Sequence, residues 1–170
     1  VLPFLQEALT WNVPISVDTY KPAVMQAALD LGADVVNDIW ALRQAGALQV
    51  VARHPQCGVC LMHMHQEPLT MLAQPMTGDA LPLVKDFLTQ QVLKLRHSGV
   101  QANRIVLDPG IGFGKTLEQN LSLLQRQSEL LSLGHPLMAG WARKGTLGKL
   151  TAVQGKAPEP KDRVGASVAA

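Results

Sequence analysis

The sequence predicts an α/β fold built on a parallel β-sheet. Short apolar runs alternate with amphipathic helical patterns along the chain, and this alternation is typical of βαβ units. Each apolar run ends in polar residues, as expected for strands that are covered on both faces and open at their carboxyl ends. With 170 residues, of which 47% are hydrophobic, the chain can bury one core, so 1–170 is interpreted as a single domain.

Five strands are predicted, and a polar exit follows each of them. Side chains at the carboxyl ends of parallel strands meet at one edge of the sheet. We therefore expect the five exits to converge on one site. The predicted strands are 13–17, 34–36, 58–62, 104–107 and 136–139, with exits at Asp18, Asn37, His63, Asp108 and Lys144.

Four helices are predicted between the strands, because apolar residues recur there every three or four positions. The fourth helix is expected to place Leu117, Leu121, Leu124 and Leu131 on one buried side. The segment 145–162 contains several glycines and prolines and is expected to be a loop beside the site. The helices are expected from Lys21-Pro22 to Gly32, from Ala47 to Arg53, from Asp79 to Gly99, and from Thr116 onward.

Composition argues against several classes of partner. The net charge is only +2, the basic residues are scattered and 4% of residues are aromatic, so no nucleic-acid surface is expected. No apolar run approaches the ~18 residues of a membrane helix, and no signal peptide is visible, so a cytoplasmic protein without a membrane partner is expected. Cys57 and Cys60 have Cys-x-x-Cys spacing but no second pair, and two unpaired thiols are expected.

The segment from Asp108 to Lys115, called the octet below, is the most informative local motif. It reads Asp-Pro-Gly-Ile-Gly-Phe-Gly-Lys directly after an apolar run. Glycines at every second position let the backbone turn sharply and approach a ligand closely. The spacing matches neither a phosphate loop nor the dinucleotide fingerprint. Taken alone, the octet is either a ligand loop or a plain strand-to-helix turn.

Five motifs in order resemble the dihydropteroate synthase family. The resemblance implies a TIM (β/α)8 barrel that is incomplete here, with about five βα units that correspond to strands 3 to 7. The chain is therefore expected to be truncated at both ends. The motifs are Pro-Ile-Ser-Val-Asp-Thr-Tyr-Lys-Pro at 14–22, Val-Asn-Asp-Ile at 36–39, Leu-Met-His-Met at 61–64, the octet at 108–115, and Gly-Trp-Ala-Arg-Lys at 140–144.

The resemblance implies a transferase of folate biosynthesis that is a target of sulfonamides. Such an enzyme condenses 6-hydroxymethyl-7,8-dihydropterin diphosphate with p-aminobenzoate to give dihydropteroate and diphosphate. A homodimer is expected from the resemblance, and so is Mg²⁺, whose ligands would lie outside this chain. Whether this chain is active by itself stays open. The alternative function is a non-catalytic pterin-binding paralogue or remnant.

The resemblance also assigns roles to residues. Asp108 would accept hydrogens from the pterin, since a buried carboxylate can take two of them at once. Lys144 and Asp18 are the implied catalytic residues. Without the resemblance, Asp18 could cap the helix at Pro22 and Asn37 could hold a turn. The implied substrate-binding residues are Asp108, Asn37, Asp18, Lys144, Met62, Phe113, Gly140 and Arg143, and no metal ligand is assigned.

The chain departs from the family pattern at a few positions. Ala142 and Gly145 stand in the places of the two serines in the Ser-Arg-Lys-Ser motif of the family. The hydroxyl of the second serine helps to hold the carboxylate of p-aminobenzoate in that family. Gly145 has no hydroxyl, although a backbone N–H of a following helix could replace it. His65 stands where glutamine is usual. His63 and His65 share a strand face, but without a matching carboxylate or cysteine a non-metal role is expected for both.

Overall fold

The computed structural model describes residues 1–68, 70–71 and 73–170, and within them four strands form one sheet. All neighbouring strands are parallel, and their order in the sheet is their order in the chain. This arrangement is that of a barrel wall that has not closed. The strands are β1 Ser16–Asp18, β2 Val35–Asp38, β3 Gly58–Met62 and β4 Ile105–Asp108.

The helices follow the predicted start and stop signals. Gly32 ends α2 in the left-handed conformation with φ 109°, the Asp79 carboxylate caps α4, and Thr116 forms a reciprocal capping box with Gln119 at the start of α5. None of the helices in the described ranges is long and apolar enough to cross a membrane. The helices are α1 Leu2–Ala8, α2 Pro22–Leu31, α3 Ala47–Arg53, α4 Ala80–His97, α5 Leu117–Gln125, α6 Ser128–Leu131, α7 Gly145–Leu150 and α8 Val164–Ala169.

The two faces of the sheet differ in polarity because residues that pair across parallel strands share a face. The outer face is almost fully buried in the helix-covered core. The inner face is partly polar, and four predicted site residues lie on it, namely Asp18, Asn37, Met62 and Asp108. The outer face carries Val17, Val36, Val59, Leu61, Ile105 and Leu107, and the inner face carries Asp18, Asn37, Cys60, Met62, Val106 and Asp108.

The fifth predicted strand, at 136–139, is reduced to one parallel bridge between Leu137 and Leu107. Leu107 N donates to the Pro136 carbonyl at 2.9 Å, and Met138 N donates to the Leu107 carbonyl at 2.8 Å. Prolines have no N–H to donate, so Pro136 and Pro109 cannot extend this ladder in either direction. The chain therefore still runs beside β4, but without a regular strand.

The segment 145–162 begins with the helix α7, so its prediction as a loop is wrong over that part. The Arg163 guanidinium donates to the carbonyls of Pro158 and Arg143, both at 2.9 Å. It also packs on α7 at Gly148, where an added Cβ would lie 2.7 Å from the Arg163 Nε. These contacts tie the C-terminal part of the chain to α7.

The fourth predicted helix is divided into α5 and α6, which changes its buried face. Leu131 is 55% exposed, whereas Leu123 and Leu130 are fully buried. The break after Gln125 shifts the helical phase, so a single period of 3.6 residues does not describe both parts. The prediction that Leu131 lies on the buried side is therefore wrong.

The loops that follow β3 and β4 touch each other through their backbones. His63 N donates to the Asp108 carbonyl at 2.9 Å. Gly110 has φ 70°, and an added Cβ would lie 1.8 Å from the His63 carbonyl oxygen. Only glycine has both the required backbone conformation and the required small size at this position.

We expect Gly110→Ala to destabilise the fold far more than Gly134→Ala. Both glycines have positive φ, but nothing lies within 4 Å of a Cβ at Gly134. The alanine at 134 should reduce the free energy of unfolding by about 1 kcal/mol, the strain of the left-handed conformation. The clash at 110 should raise the loss to roughly 3 kcal/mol or more. Urea denaturation of both variants measures this difference, and equal losses would contradict the close contact between the two loops.

Candidate functional site

Asp108 lies at the end of β4 with its carboxylate on the inner face. It is only 6% exposed, and its Oδ1 accepts a hydrogen bond from Gly110 N at 2.7 Å. Burial raises the pKa of Asp108, while the Gly110 N–H and the ammonium groups of Lys144 and Lys115 act in the opposite direction. Oδ2 accepts no hydrogen bond within the described part of the chain. One carboxylate oxygen is therefore held in place and the other can receive a ligand.

Asp18 and Asn37 lie side by side at the ends of β1 and β2. Asn37 Nδ2 donates to Asp18 Oδ2 at 3.2 Å. Asp18 does not cap α2, which has no side-chain cap. The turn after β2 is held instead by the Asp38 carboxylate, which accepts from Trp40 N at 2.8 Å and Leu42 N at 2.7 Å. Both alternative structural roles are therefore wrong, and the pair is left facing the open inner side.

Two β3 side chains form the floor between these acidic groups. Met62 pairs in register with Asp108 and is buried. Cys60 pairs in register with Asn37. Burial, together with the carboxylates of Asp108 and Asp18, raises the pKa of its thiol to about 12. Cys60 was not among the predicted site residues, although Cys60 and Met62 are two residues apart and so share a face. Cys57 and Cys60 are both free, which confirms the prediction of unpaired thiols.

Lys144 extends across the octet. Its Nζ donates to the Ile111 carbonyl and lies 4.7 Å from the centroid of the Phe113 ring. Burial lowers the pKa of Lys144. A Cβ at Gly140 would lie 3.7 Å from this ammonium, so the glycine leaves room beside it. Lys144, Phe113 and Gly140 thus lie together at the edge of the inner face.

A cavity of about 360 Å³ opens between the octet and α7. Phe113 and Leu117 contribute apolar walls, and no Asp or Glu is among its lining residues. Lys144 and Lys149 line it together with Thr146. Such a cavity suits a small aromatic acid, because aromatic walls can hold a ring while the cations attract a carboxylate.

The octet is held in place by hydrogen bonds between its backbone and the side chains of Lys115 and Asn120. The Lys115 ammonium donates to the carbonyls of Gly110 at 2.8 Å, Phe113 at 3.2 Å and His63 at 3.3 Å. Burial lowers the pKa of Lys115 to about 7. Asn120 Oδ1 accepts from Gly112 N at 2.8 Å. Neither residue was predicted to have a role in the site, and a lysine after a glycine-rich turn is usually in solvent.

Two predicted positions do not point into the site. The His63 ring packs edge-on against Phe87, with centroids 5.0 Å apart, and burial lowers its pKa to about 3. The expectation that His63 joins the other exits is therefore wrong. Arg143 is exposed, its backbone N donates to the Ser167 hydroxyl at 2.8 Å, and its side chain does not line the cavity. Its role in substrate binding stays a prediction.

The described ranges contain no group of three or more His, Cys, Asp or Glu side chains that could hold a metal ion. The described residues therefore offer no such cluster to a Mg²⁺ ion. We assign no step of chemistry in this part of the chain to a metal.

Comparison with known proteins shows the family of the chain. The family model described as pterin binding enzyme matches residues 1–170. The dihydropteroate synthase of Neisseria meningitidis serogroup C is 39% identical over 172 residues, which cover 100% of this chain and 61% of the relative. The corresponding enzyme of Escherichia coli strain K12 is 37% identical over 170 residues, which cover 99% of this chain and 58% of the relative. The chain therefore spans less than two thirds of either relative.

Solved structures confirm the fold. Dihydropteroate synthase from Stenotrophomonas maltophilia, with imidazole bound in its active site, superposes with a TM-score of 0.93 at 42% identity, over 99% of this chain and 62% of that one. The enzyme from Thermus thermophilus in complex with 6HMPPP gives 0.91 at 44% identity, over 99% and 65%. These enzymes are TIM barrels, so the four-stranded sheet is an incomplete barrel, as predicted. From the family match over its whole length and these superpositions, the chain belongs to the pterin binding enzyme family.

Proposed function

We propose that this chain forms the pterin-binding part of a dihydropteroate synthase, which joins 6-hydroxymethyl-7,8-dihydropterin diphosphate to p-aminobenzoate. The observation that carries the proposal is the buried Asp108 carboxylate, with one oxygen fixed by Gly110 N and the other open to the inner face. The Thermus thermophilus relative in complex with 6HMPPP supports it. So does the Xanthomonas albilineans relative in complex with 7,8-dihydropteroate.

Asp108 and Asn37 can form hydrogen bonds with opposite edges of a two-ring heterocycle. They lie on the same face but two strands apart, which corresponds to a lateral separation of about 10 Å. The carboxylate would accept the 2-amino and ring N–H hydrogens of the pterin, and each charge-assisted bond contributes about 1.5–3 kcal/mol. Asp18 accepts from the Asn37 amide and so fixes the direction in which Asn37 presents its other polar atoms. Met62 would pack against the ring.

Lys144 lies where the two substrates would meet. Its ammonium is close to the octet and also lines the cavity beside Phe113. The amine nitrogen of p-aminobenzoate would attack the pterin methylene carbon, the bond from that carbon to the diphosphate oxygen would break, and the amine would lose a proton. The protein then has to hold both reactants in line, which alone lowers the barrier considerably. Lys144 would orient the pterin, and Phe113 would position the aryl ring.

A non-catalytic pterin-binding protein is the second candidate, and Gly145 favours it. Incubation of the chain with the dihydropterin diphosphate and p-aminobenzoate separates the two functions. Formation of dihydropteroate supports the transferase, and pterin binding without product supports the second candidate. Absence of pterin binding would contradict both. The transferase proposal also includes a cytoplasmic homodimer and Mg²⁺ bound outside this chain, which rest on the family resemblance.

Replacement of Asp108 by asparagine tests the pterin site. Asp108→Asn keeps the size of the side chain but removes its charge and one of its acceptors, so the Kd for the dihydropterin diphosphate should rise roughly tenfold to a hundredfold. Asp86→Asn is the matched control, because Asp86 is exposed on α4. Isothermal titration calorimetry measures both variants. An unchanged Kd in Asp108→Asn would place the pterin elsewhere.

Replacement of Gly145 by serine tests the aryl-acid end. Nothing lies within 4 Å of a Cβ added at Gly145, so a serine fits without displacing a neighbour. Its hydroxyl should add a hydrogen bond to the carboxylate of p-aminobenzoate and lower the Kd of this acid roughly tenfold. Gly145→Ala is the control for the added Cβ. An equal gain in both variants would show that the hydroxyl makes no such bond.

A further inference from the structure

The side chain of Lys115 is an unusual group to find in the interior of this fold. It is 6% exposed, and an isolated buried ammonium is strongly unfavourable. An ammonium has three N–H donors, and here the donors meet three carbonyl oxygens, those of Gly110, Phe113 and His63. Every hydrogen-bonding position of the charged form is therefore satisfied.

The three carbonyls belong to two different loops. His63 follows β3, whereas Gly110 and Phe113 lie in the octet after β4. Both loops border the inner face, because Met62 immediately precedes the first and Asp108 begins the second. The Lys115 side chain thus fixes the positions of Met62, the Asp108 carboxylate and the Phe113 ring relative to one another.

The contact with Gly110 reaches Asp108 in one further step. The Gly110 carbonyl accepts from Lys115 at 2.8 Å, and the Gly110 N–H donates to Asp108 Oδ1 at 2.7 Å. The same glycine therefore binds both groups, and a shift of the ammonium would move the N–H that orients the carboxylate. The positive charge of Lys115 also favours the ionised form of Asp108.

We propose that Lys115 is the positioning residue of the pterin site: it orients the Asp108 carboxylate through Gly110, and its charge keeps that carboxylate ionised inside the protein. This inference rests on the proposed function, because it concerns the same pterin site. Lys115 does not touch the pterin in this proposal. Its three donors remain with the carbonyls when the ring binds.

The effect of Lys115 on Asp108 predicts a characteristic pH dependence. Pterin binding needs the carboxylate form, so affinity should fall as the pH drops through the pKa of Asp108, which burial raises above its usual value of 3.8. Below its own pKa of about 7 the Lys115 side chain is charged and stabilises the carboxylate, so its removal must move this acid limb to higher pH. A purely structural lysine would change the Kd without moving the limb.

Other charged groups near the site have to be separated from Lys115. Lys144 also faces Asp108 and favours its ionised form. The buried Cys60 thiol and His63 ring have pKa values of about 12 and about 3, both outside the range of about pH 4.5 to 7.5 over which binding is measured. His65 lies against the octet, where a Cβ at Gly114 would be 2.7 Å from His65 Cβ. His65→Gln is therefore a necessary control.

The experiment measures the Kd for the dihydropterin diphosphate from about pH 4.5 to about pH 7.5 in five forms of the chain. They are the wild type, Lys115→Met, Lys115→Arg, and the controls His65→Gln and Lys94→Met, the second of which removes an exposed lysine on α4. Lys115→Met should raise the Kd about tenfold at neutral pH and move the acid limb up by about half a pH unit or more. Lys115→Arg should restore the limb, and Lys94→Met and His65→Gln should leave it in place.

The outcomes separate this inference from the function on which it rests. If the wild type does not bind the pterin, the proposed function is wrong. If the wild type binds and Lys115→Met binds with the same acid limb, Lys115 is not the positioning residue, and a limb that moves in His65→Gln overturns the inference as well. If Lys115→Met does not fold, as judged by circular dichroism, Lys115→Arg decides. If Lys115→Arg has the same acid limb and the same Kd as the wild type, the inference is supported. If Lys115→Arg loses affinity tenfold while its acid limb stays at the same pH, the inference is rejected.

Discussion

The site depends on the in-register pairing of four parallel strands. A shift of one residue in any strand would exchange its two faces. Valines and leucines would then leave the helix-covered core, and the polar exits would enter it. The buried outer face therefore determines where Asp18, Asn37 and Asp108 can point, although none of the outer residues touches a ligand site. In this way the core specifies the geometry of the inner face.

The parts of the fold that depend on local chemistry could be predicted from the sequence. α2, α3 and α4 begin and end where proline, glycine and the Asp79 cap predict. The reduction of the fifth predicted strand to a single bridge could not be predicted, because its apolar run does not show that Pro136 and Pro109 interrupt the ladder from both sides. α7 was missed because its glycines disfavour a helix. The packing of Arg163 on Gly148, which only the folded chain provides, explains why a glycine is needed there.

The same distinction applies to the site. Asp108, Asn37 and Lys144 were predicted to form the site because polar residues are easily recognised where they follow apolar strands. His63 was misassigned for the same reason, since its position as an exit does not show that its ring turns outward to Phe87. Cys60 and Lys115 were missed because their importance comes from burial. A thiol within an apolar strand resembles a core residue, and a lysine after three glycines resembles a solvated one.

The two ends of the site are built in physically different ways. At the proposed pterin end, Asp108 and Lys115 are buried and their polar atoms are fixed by the backbone, in the bonds from Gly110 N to Asp108 and from Lys115 to three carbonyls. A substitution of either residue leaves buried polar atoms unpaired, which is costly. The proposed aryl-acid end is a cavity between the octet and α7, lined by the half-buried Lys144 and the exposed Lys149. In this cavity water can take the place of the serine hydroxyl that the family has and Gly145 lacks. The departure from the family pattern at Gly145 therefore leaves the fold intact, and the octet keeps its motif.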